Sequence, residues 1–333
     1  MALDVKDRKI LYELDVNSRQ TNSEIAKKVG LSKQVVGFRI KRLEKEGIIS
    51  FFYTVIGISK LGYTVHKAFL RLQNLDRKKE AELIDYLKNS PDVVWLAVCD
   101  GRYDLAFGMR AKDVEQLDRK LKELNAKFGQ YISERQIATI LRGEYFVRDY
   151  LISKKEPSEY RQNAYRQSFF GAIPAIAKID ETDWKILVEL GKNSRVPAVE
   201  IARKTGISAD AVSSRIRKLE KSGVIRHYNF VPNEAKYPYL HYKVLVGLRN
   251  LSEGREKSLL EYCRINPNII FTVKALGPWE FEIDMEVENA EKFRQIMMDI
   301  KTQFNDILKD YSALLIYQVH KYNFCPSQPP KTI

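Results

Sequence analysis

The chain has 333 residues, enough for two or more domains with full cores, so no disulfide or metal staple is needed to hold it. Lys and Arg number 56 against 43 Asp and Glu, a net charge of +13 that favours polyanionic partners, nucleic acid first and acidic membrane second. Cys99, Cys263 and Cys325 lie far apart, which argues against a disulfide framework or a thiolate zinc site, and no cofactor is indicated. The N-terminus carries charges where a signal peptide needs an apolar core. No apolar run approaches the roughly 18 residues of a membrane span, so a cytoplasmic protein is expected.

In chain order, Val5, Ile10, Leu11 and Leu14 recur at helical spacing behind Asp4, a first-turn cap. Thr21-Asn22-Ser23-Glu24 has the form of a capping box ahead of Ile25, Ala26 and Val29, and Gly30 stops that short helix. Ser32 caps a third helix to about Glu46, whose apolar stripe is Val36, Ile40 and Leu43. The tight Gly-Leu-Ser turn between helices two and three marks a helix-turn-helix, and Ile48 to Ile56 reads as a strand able to form a wing. The outer side of helix three offers Ser32, Lys33, Gln34, Gly37, Phe38, Arg39, Lys41, Arg42 and Lys45. Such a face suits a major groove: Gln34 can pair with adenine, Phe38 can touch a thymine methyl, and the cations can hold phosphate or guanine.

Further along, a strand over 65–72, a helix over 78–89, two strands around Asp100-Gly101, a helix over 113–127 and a strand over 132–141 give the order βαββαβ. The whole pattern then repeats at an offset of 176. Asn17-Ser18-Arg19 returns as Asn193-Ser194-Arg195, and Arg39, Ile40, Leu43 and Glu44 return as Arg215, Ile216, Leu219 and Glu220. Each copy is domain-sized, too long for a solenoid unit. The expected fold class is α+β: 1–60 helix-turn-helix, 61–150 ferredoxin-like, 151–178 linker, 179–236 helix-turn-helix, 237–322 ferredoxin-like, 323–333 tail.

The second recognition helix is not a duplicate of the first. Its outer side carries Ser208, Asp210, Ser213, Ser214, Arg215, Arg217, Lys218 and Lys221, and Asp210 repels phosphate while suiting a cytosine amino group. An asymmetric DNA site is therefore expected. A basic helix face is more often merely solvated, and each helix-turn-helix segment is only +4, so charge supports this reading without carrying it. In the strand at 279–287, Phe281, Ile283, Met285 and Val287 alternate with Glu280, Glu282, Asp284 and Glu286, and the matching strand of copy one ends in Arg110 and Lys112. This complementarity predicts that the two sheets pair with each other, with Arg110 and Lys112 near Glu286 and Glu288.

The opening D-x-x-D-x-K-I-L, the N-S-R, the E-I-A helix, the G-L-S turn and the V-x-x-R-I-K-R-L-E-K-x-G-I-I helix, followed by βαββαβ, resemble the Lrp/AsnC (feast/famine) regulators over nearly the whole chain, twice. The resemblance implies a sequence-specific double-stranded DNA-binding transcriptional regulator. It also implies an assembly domain of RAM type, sheet-mediated pairing, possible homo-oligomers, and an amino-acid effector near a G-x-x-D element. Here that element is Gly101, Arg102, Tyr103 and Asp104, against Gly277-Pro278-Trp279-Glu280 in copy two. Two alternatives stand beside it. One is a sirohaem decarboxylase-like tetrapyrrole enzyme, for which His66, His227, His241 and His320 are the scattered candidates; the other is an architectural DNA-coating protein. No catalytic motif supports other chemistry.

Overall fold

The structure, a computed structural model, describes residues 3–152, 157–163 and 176–325. Copy one contributes α1 (Val5–Val16), α2 (Asn22–Val29), α3 (Lys33–Lys45), β1 (Ile49–Ile56), β2 (Thr64–Leu72), α4 (Arg77–Asn89), β3 (Val93–Asp100), β4 (Leu105–Ala111), α5 (Val114–Phe128) and β5 (Ile132–Tyr145). After a short α6 (Glu159–Asn163), copy two adds α7 (Glu181–Lys192), α8 (Ala198–Thr205), α9 (Ala209–Lys221), β6 (Ile225–Pro232), β7 (Leu240–Leu248), α10 (Glu253–Ile265), β8 (Ile269–Leu276), β9 (Phe281–Val287), α11 (Ala290–Gln303) and β10 (Leu308–Tyr322).

Local chemistry explains the helix ends. Asp4 and Asp180 accept from the backbone N–H of Asp7 and Asp183, Thr21 and Glu24 close a capping box, and each such cap contributes about 1 kcal/mol. Gly30 and Gly206 hold φ of 67° and 74°, the left-handed conformation that ends α2 and α8 at the tight turn.

Each copy forms a four-stranded antiparallel sheet, β3-β4-β2-β5 and β8-β9-β7-β10, with its helices on one side. Neither sheet stays open. The strands β5 and β10, 14 and 15 residues long, outrun their own sheets. Residues 132–139 of β5 pair with β2, and 139–145 continue onto β8; β10 likewise serves β7 and then β3. The eight strands close into a barrel, which removes the exposed edges that invite aggregation. Outside it, Leu83, Leu87, Leu124 and Phe128 pack on Ala68, Leu70 and Phe107, and copy two builds the equivalent layer around Leu259, Ile296, Met297 and Ile300. The inner side of the barrel is continuous with the core of both helix-turn-helix units.

The expected pairing of the two sheets is met edge to edge, but the charge partners differ from those expected. Phe281, Ile283, Met285 and Val287 do face the helices, while Glu282, Asp284 and Glu286 turn inward and are buried. Glu286 binds Arg148 at 2.7 Å; Arg110 instead faces Asp92 and the carbonyls of Pro91 and Phe324, and Lys112 stays exposed. Closure of the barrel puts the acidic side where only buried cations can meet it.

The stretch expected as a linker is partly docked. Leu151 is buried, and the fully buried Arg161 of α6 donates to the carbonyls of Val147 (2.7 Å), Cys263 (3.1 Å) and Ile269 (2.5 Å). Residues 153–156 and 164–175 of that stretch lie outside the described residues. At the other end, Phe324 and Cys325 are buried, so the expected tail begins later than residue 323.

Candidate nucleic-acid interface

Both recognition helices follow from the same local pattern. The stripes Val36, Ile40, Leu43 and Val212, Ile216, Leu219 are buried, each such side chain stabilising the unit by roughly 1.5–3 kcal/mol, and this turns the opposite sides outward. Ser32 accepts from Val35 N–H at 3.2 Å and Ser208 from Ala211 N–H at 3.1 Å, so both serines are helix caps whose hydroxyls still have a proton to donate. On α3, Lys33, Gln34, Phe38, Lys41 and Lys45 are exposed; Phe38, at 67%, is far more exposed than a core aromatic. On α9, Asp210, Ser214, Arg217, Lys218 and Lys221 are exposed, whereas Ser213 is half-buried and donates to the Ala209 carbonyl.

Three of the predicted DNA contacts are drawn into the fold instead. Arg39 binds Asp4 (2.7 Å) and Asp7 (2.8 Å), Arg42 binds Asp7 (2.6 Å), and Arg215 binds Asp180 (2.6 Å) and Asp183 (2.7 Å). Asp7 and Asp183 are almost fully buried, so these cations neutralise them and brace α3 to α1 and α9 to α7.

The two helices are held about a pseudo-twofold axis. At its centre the Ser18 and Ser194 hydroxyls meet at 2.6 Å. Arg19 donates to the carbonyls of Ser194 (2.5 Å) and Val196 (3.0 Å), and Arg195 reciprocates toward Ser18 and Gln20 while reaching Asn22 Oδ1 at 3.0 Å. Arg19 also lies 5.5 Å from the Tyr228 ring centroid, and Arg195 lies 5.4 Å from that of Phe52. Beside this lock the wings β1 and β6 pair antiparallel. The N-S-R repeat was visible in the sequence, but its role as a lock between copies was not; identity of all three residues at both positions was the available signal.

The residues of the element expected to take an effector make contacts within the fold. Tyr103 is fully buried, and Asp104 Oδ2 accepts from Leu72 N–H at 2.6 Å. Glu280 does the same for Leu248 N–H at 2.7 Å, so the acid at the end of G-x-x-D ties down a strand end in both copies. Gly101, at φ 128°, packs so closely on the other copy that a Cβ would lie 2.7 Å from the Ala313 carbonyl. The turn therefore serves barrel closure.

One ionic cluster joins copy one's helix-turn-helix to the barrel. Arg148, just past β5, binds Asp15 of α1 and Glu286 of β9; Tyr145 donates to Asp15 and Tyr150 to Glu286. Burial opposes the charge on Arg148, but Glu286 and Asp15 hold its pKa well above the ordinary value. Burial likewise works against charge on His241, yet Asp284 and Glu234 bring it up to about 9. Copy two has no equivalent, since the positions matching Asp15, Arg148 and Glu286 are Gly191, Phe324 and Arg110. His66 and His227 are satisfied by Thr139 Oγ1 and the Asp15 carbonyl.

A winged helix-turn-helix DNA-binding family matches residues 3–50 and 179–226. An uncharacterised HTH-type transcriptional regulator of Pyrococcus horikoshii is 54% identical over 130 residues, 39% of this chain and 84% of that protein. The leucine-responsive regulatory protein of Rhizobium meliloti is 31% identical over 143 residues, covering 43% of this chain and 92% of its own length. The HTH-type transcriptional regulator Ptr1 of Methanocaldococcus jannaschii is 37% identical over 121 residues, 36% of this chain and 80% of that one. Among solved structures, the siroheme decarboxylase NirDL shares the duplicated fold, with a TM-score of 0.60 over 96% of this chain and 93% of that one, at 14% identity. Among the described residues no helix is long and apolar enough to cross a membrane.

Proposed function

Since the chain belongs to the Lrp/AsnC family of transcriptional regulators and carries the family's unit twice, we propose that it binds duplex DNA as a built-in dimer whose two heads read unlike half-sites. The observation that carries this is the pair of outward faces on one dyad: Gln34, Phe38 and Lys41 on α3 against Asp210, Ser214 and Arg217 on α9. Two identical subunits present the same face twice and so favour palindromes. Here the faces have diverged while the buried stripes beneath them are the same residues. Gln34 and Phe38 suit an A·T-containing half-site; Arg217 suits guanine and Asp210 the cytosine amino group. Lys33, Lys45, Lys218 and Lys221 hold phosphate, and Ser32 and Ser208 add hydroxyl contacts. A small effector modulates this binding through the body of the protein.

The test is selection of binding sites by the full chain from random duplex, followed by titration of the selected and a scrambled duplex over a range of salt. A non-palindromic consensus, bound about 1,000-fold or more above the scrambled duplex, is expected. Replacing the outer residues of α9 by those of α3 should turn the consensus into a palindrome of the α3 half. Equal affinity for both duplexes at every salt concentration would instead fit a DNA-coating protein. A visible absorption band on adding a tetrapyrrole to the full chain would instead support the enzyme alternative.

A further inference from the structure

Lys67 of β2 and Lys243 of β7 are equivalent residues, 176 apart, and both enter the barrel, their ammonium groups 5.5 and 5.2 Å from the Trp95 ring centroid. Their cross-strand neighbours differ. Lys243 stands opposite Asp284 and binds it at 2.6 Å. Lys67 stands opposite Gly108, which has no side chain to offer. It reaches across the barrel to Glu282 at 2.5 Å, an acid that Lys243 also approaches at 3.4 Å. The copy-one counterpart of Glu282 is Ala106, so both buried ammonium groups draw on acids from copy two alone.

This leaves Lys67 short of partners. An ammonium has three donors, and Lys67 spends one, on Glu282. Burial lowers its pKa more than Glu282 restores it, whereas Asp284 and Glu282 overcome burial at Lys243 and raise it. Beside Lys67 lies a cavity of about 80 Å³, walled by Gly108, Val65, Val94, Trp95 and, from the wing, Tyr53, with the carboxylates Glu234, Asp284 and Glu286 on its lining already matched by Lys243, His241 and Arg148. At roughly 15 Å³ per site, that space holds about five waters or one small molecule. Most of its wall is apolar, which disfavours a purely inorganic ion.

We propose that this cavity binds a small organic monocarboxylate, its carboxylate over Gly108 against Lys67 in the place that Asp284 fills against Lys243, and its short apolar body on Val65, Val94 and Trp95. Lys67 would then bridge two carboxylates, as Lys243 already does. The β1 residue Tyr53 lines the same space, so the ligand touches the wing sheet that joins the two DNA-reading heads.

The claim concerns binding alone and is read without DNA, so it stands or falls separately from the proposed function. Thermal unfolding and calorimetric titration of the full chain compare 3-methylbutanoate with its neutral isostere 3-methylbutanamide. Acetate and phenylacetate bracket the size. The decisive variant is Gly108→Asp, which supplies the missing carboxylate from the protein itself. A Cβ at Gly108 meets Val94 and Val65 at 3.4 and 3.5 Å, ordinary contact, so the variant has room. Lys67→Met removes the cation and serves should Gly108→Asp not fold. The acid is expected to raise the midpoint of the natural chain with concentration, the amide to bind about tenfold or more weakly, and both variants to lose the response. No response to any of the three acids means that the space holds water only and overturns the proposal. So does a response undiminished in both variants, which places the carboxylate elsewhere.

Discussion

Replacing Arg148 with methionine tests the claim that one cation joins copy one's helix-turn-helix to the barrel. Arg148, Asp15 and Glu286 are all buried, at 5%, 0% and 1% exposure, so bulk solvent does not reach the place of the lost partner. Breaking a buried pair by removing one member typically costs about 3–5 kcal/mol, because the remaining charge is left uncompensated. Here two carboxylates lose one cation, but each keeps some support: Asp15 retains the Arg148 backbone N–H at 2.7 Å and the Tyr145 hydroxyl, and Glu286 retains that of Tyr150. About 4 kcal/mol at neutral pH is therefore expected, not the sum of two broken pairs. Burial would raise the pKa of Glu286, but Arg148 holds it below the ordinary value. The stability it contributes is present above its unfolded pKa and lost as pH falls through the lower folded one, so the gap between variant and natural chain should close in acid. Urea unfolding followed by circular dichroism measures the gap. Adding Glu286→Gln to Arg148→Met should recover part of the loss. A neutral-pH cost under about 1 kcal/mol, or a double variant as unstable as the two single losses added, would refute the reasoning.

Two other outcomes follow from the same geometry. His241 has its pKa raised to about 9, so its contribution is complete below its ordinary value of 6.5 and is lost as pH rises from there to 9; a stability profile should fall by roughly 3 kcal/mol at most over that window, and His241→Gln should flatten it. Lys41→Ala and Arg217→Ala should leave unfolding unchanged, weaken DNA binding and each lower the salt slope by about 1, whereas Arg215→Ala should cost about 2 kcal/mol of stability through Asp183; equal effects of all three on stability would contradict the assigned roles.

Arginines divide in a way that periodicity alone does not reveal. Arg39, Lys41 and Arg42 sit together on the polar side of α3, and nothing in their spacing separates them. Only the position of α1 decides that Arg39 and Arg42 meet Asp7 while Lys41 faces solvent. The same holds for Asp104, whose spacing in G-x-x-D does not reveal that one of its oxygens holds Leu72 N–H. Side chains at a turn can serve a backbone or a ligand with the same atoms, and the choice depends on what the chain brings within 3 Å.

What the amino-acid order determined by itself was everything of short range: the duplicated units, the capped helices with their buried stripes, the βαββαβ order and the divergence of the two recognition faces. Helical and strand periods, caps and left-handed glycines act between residues a few positions apart, so they can be read along the line. Tertiary structure alone decided the closure of two sheets into one barrel, the Ser18–Ser194 dyad, the burial of Glu282, Asp284 and Glu286, and the uneven partners of Lys67 and Lys243. Those contacts join residues 39 to more than 200 positions apart, and charge burial is set by what surrounds a group in space, which no local pattern encodes.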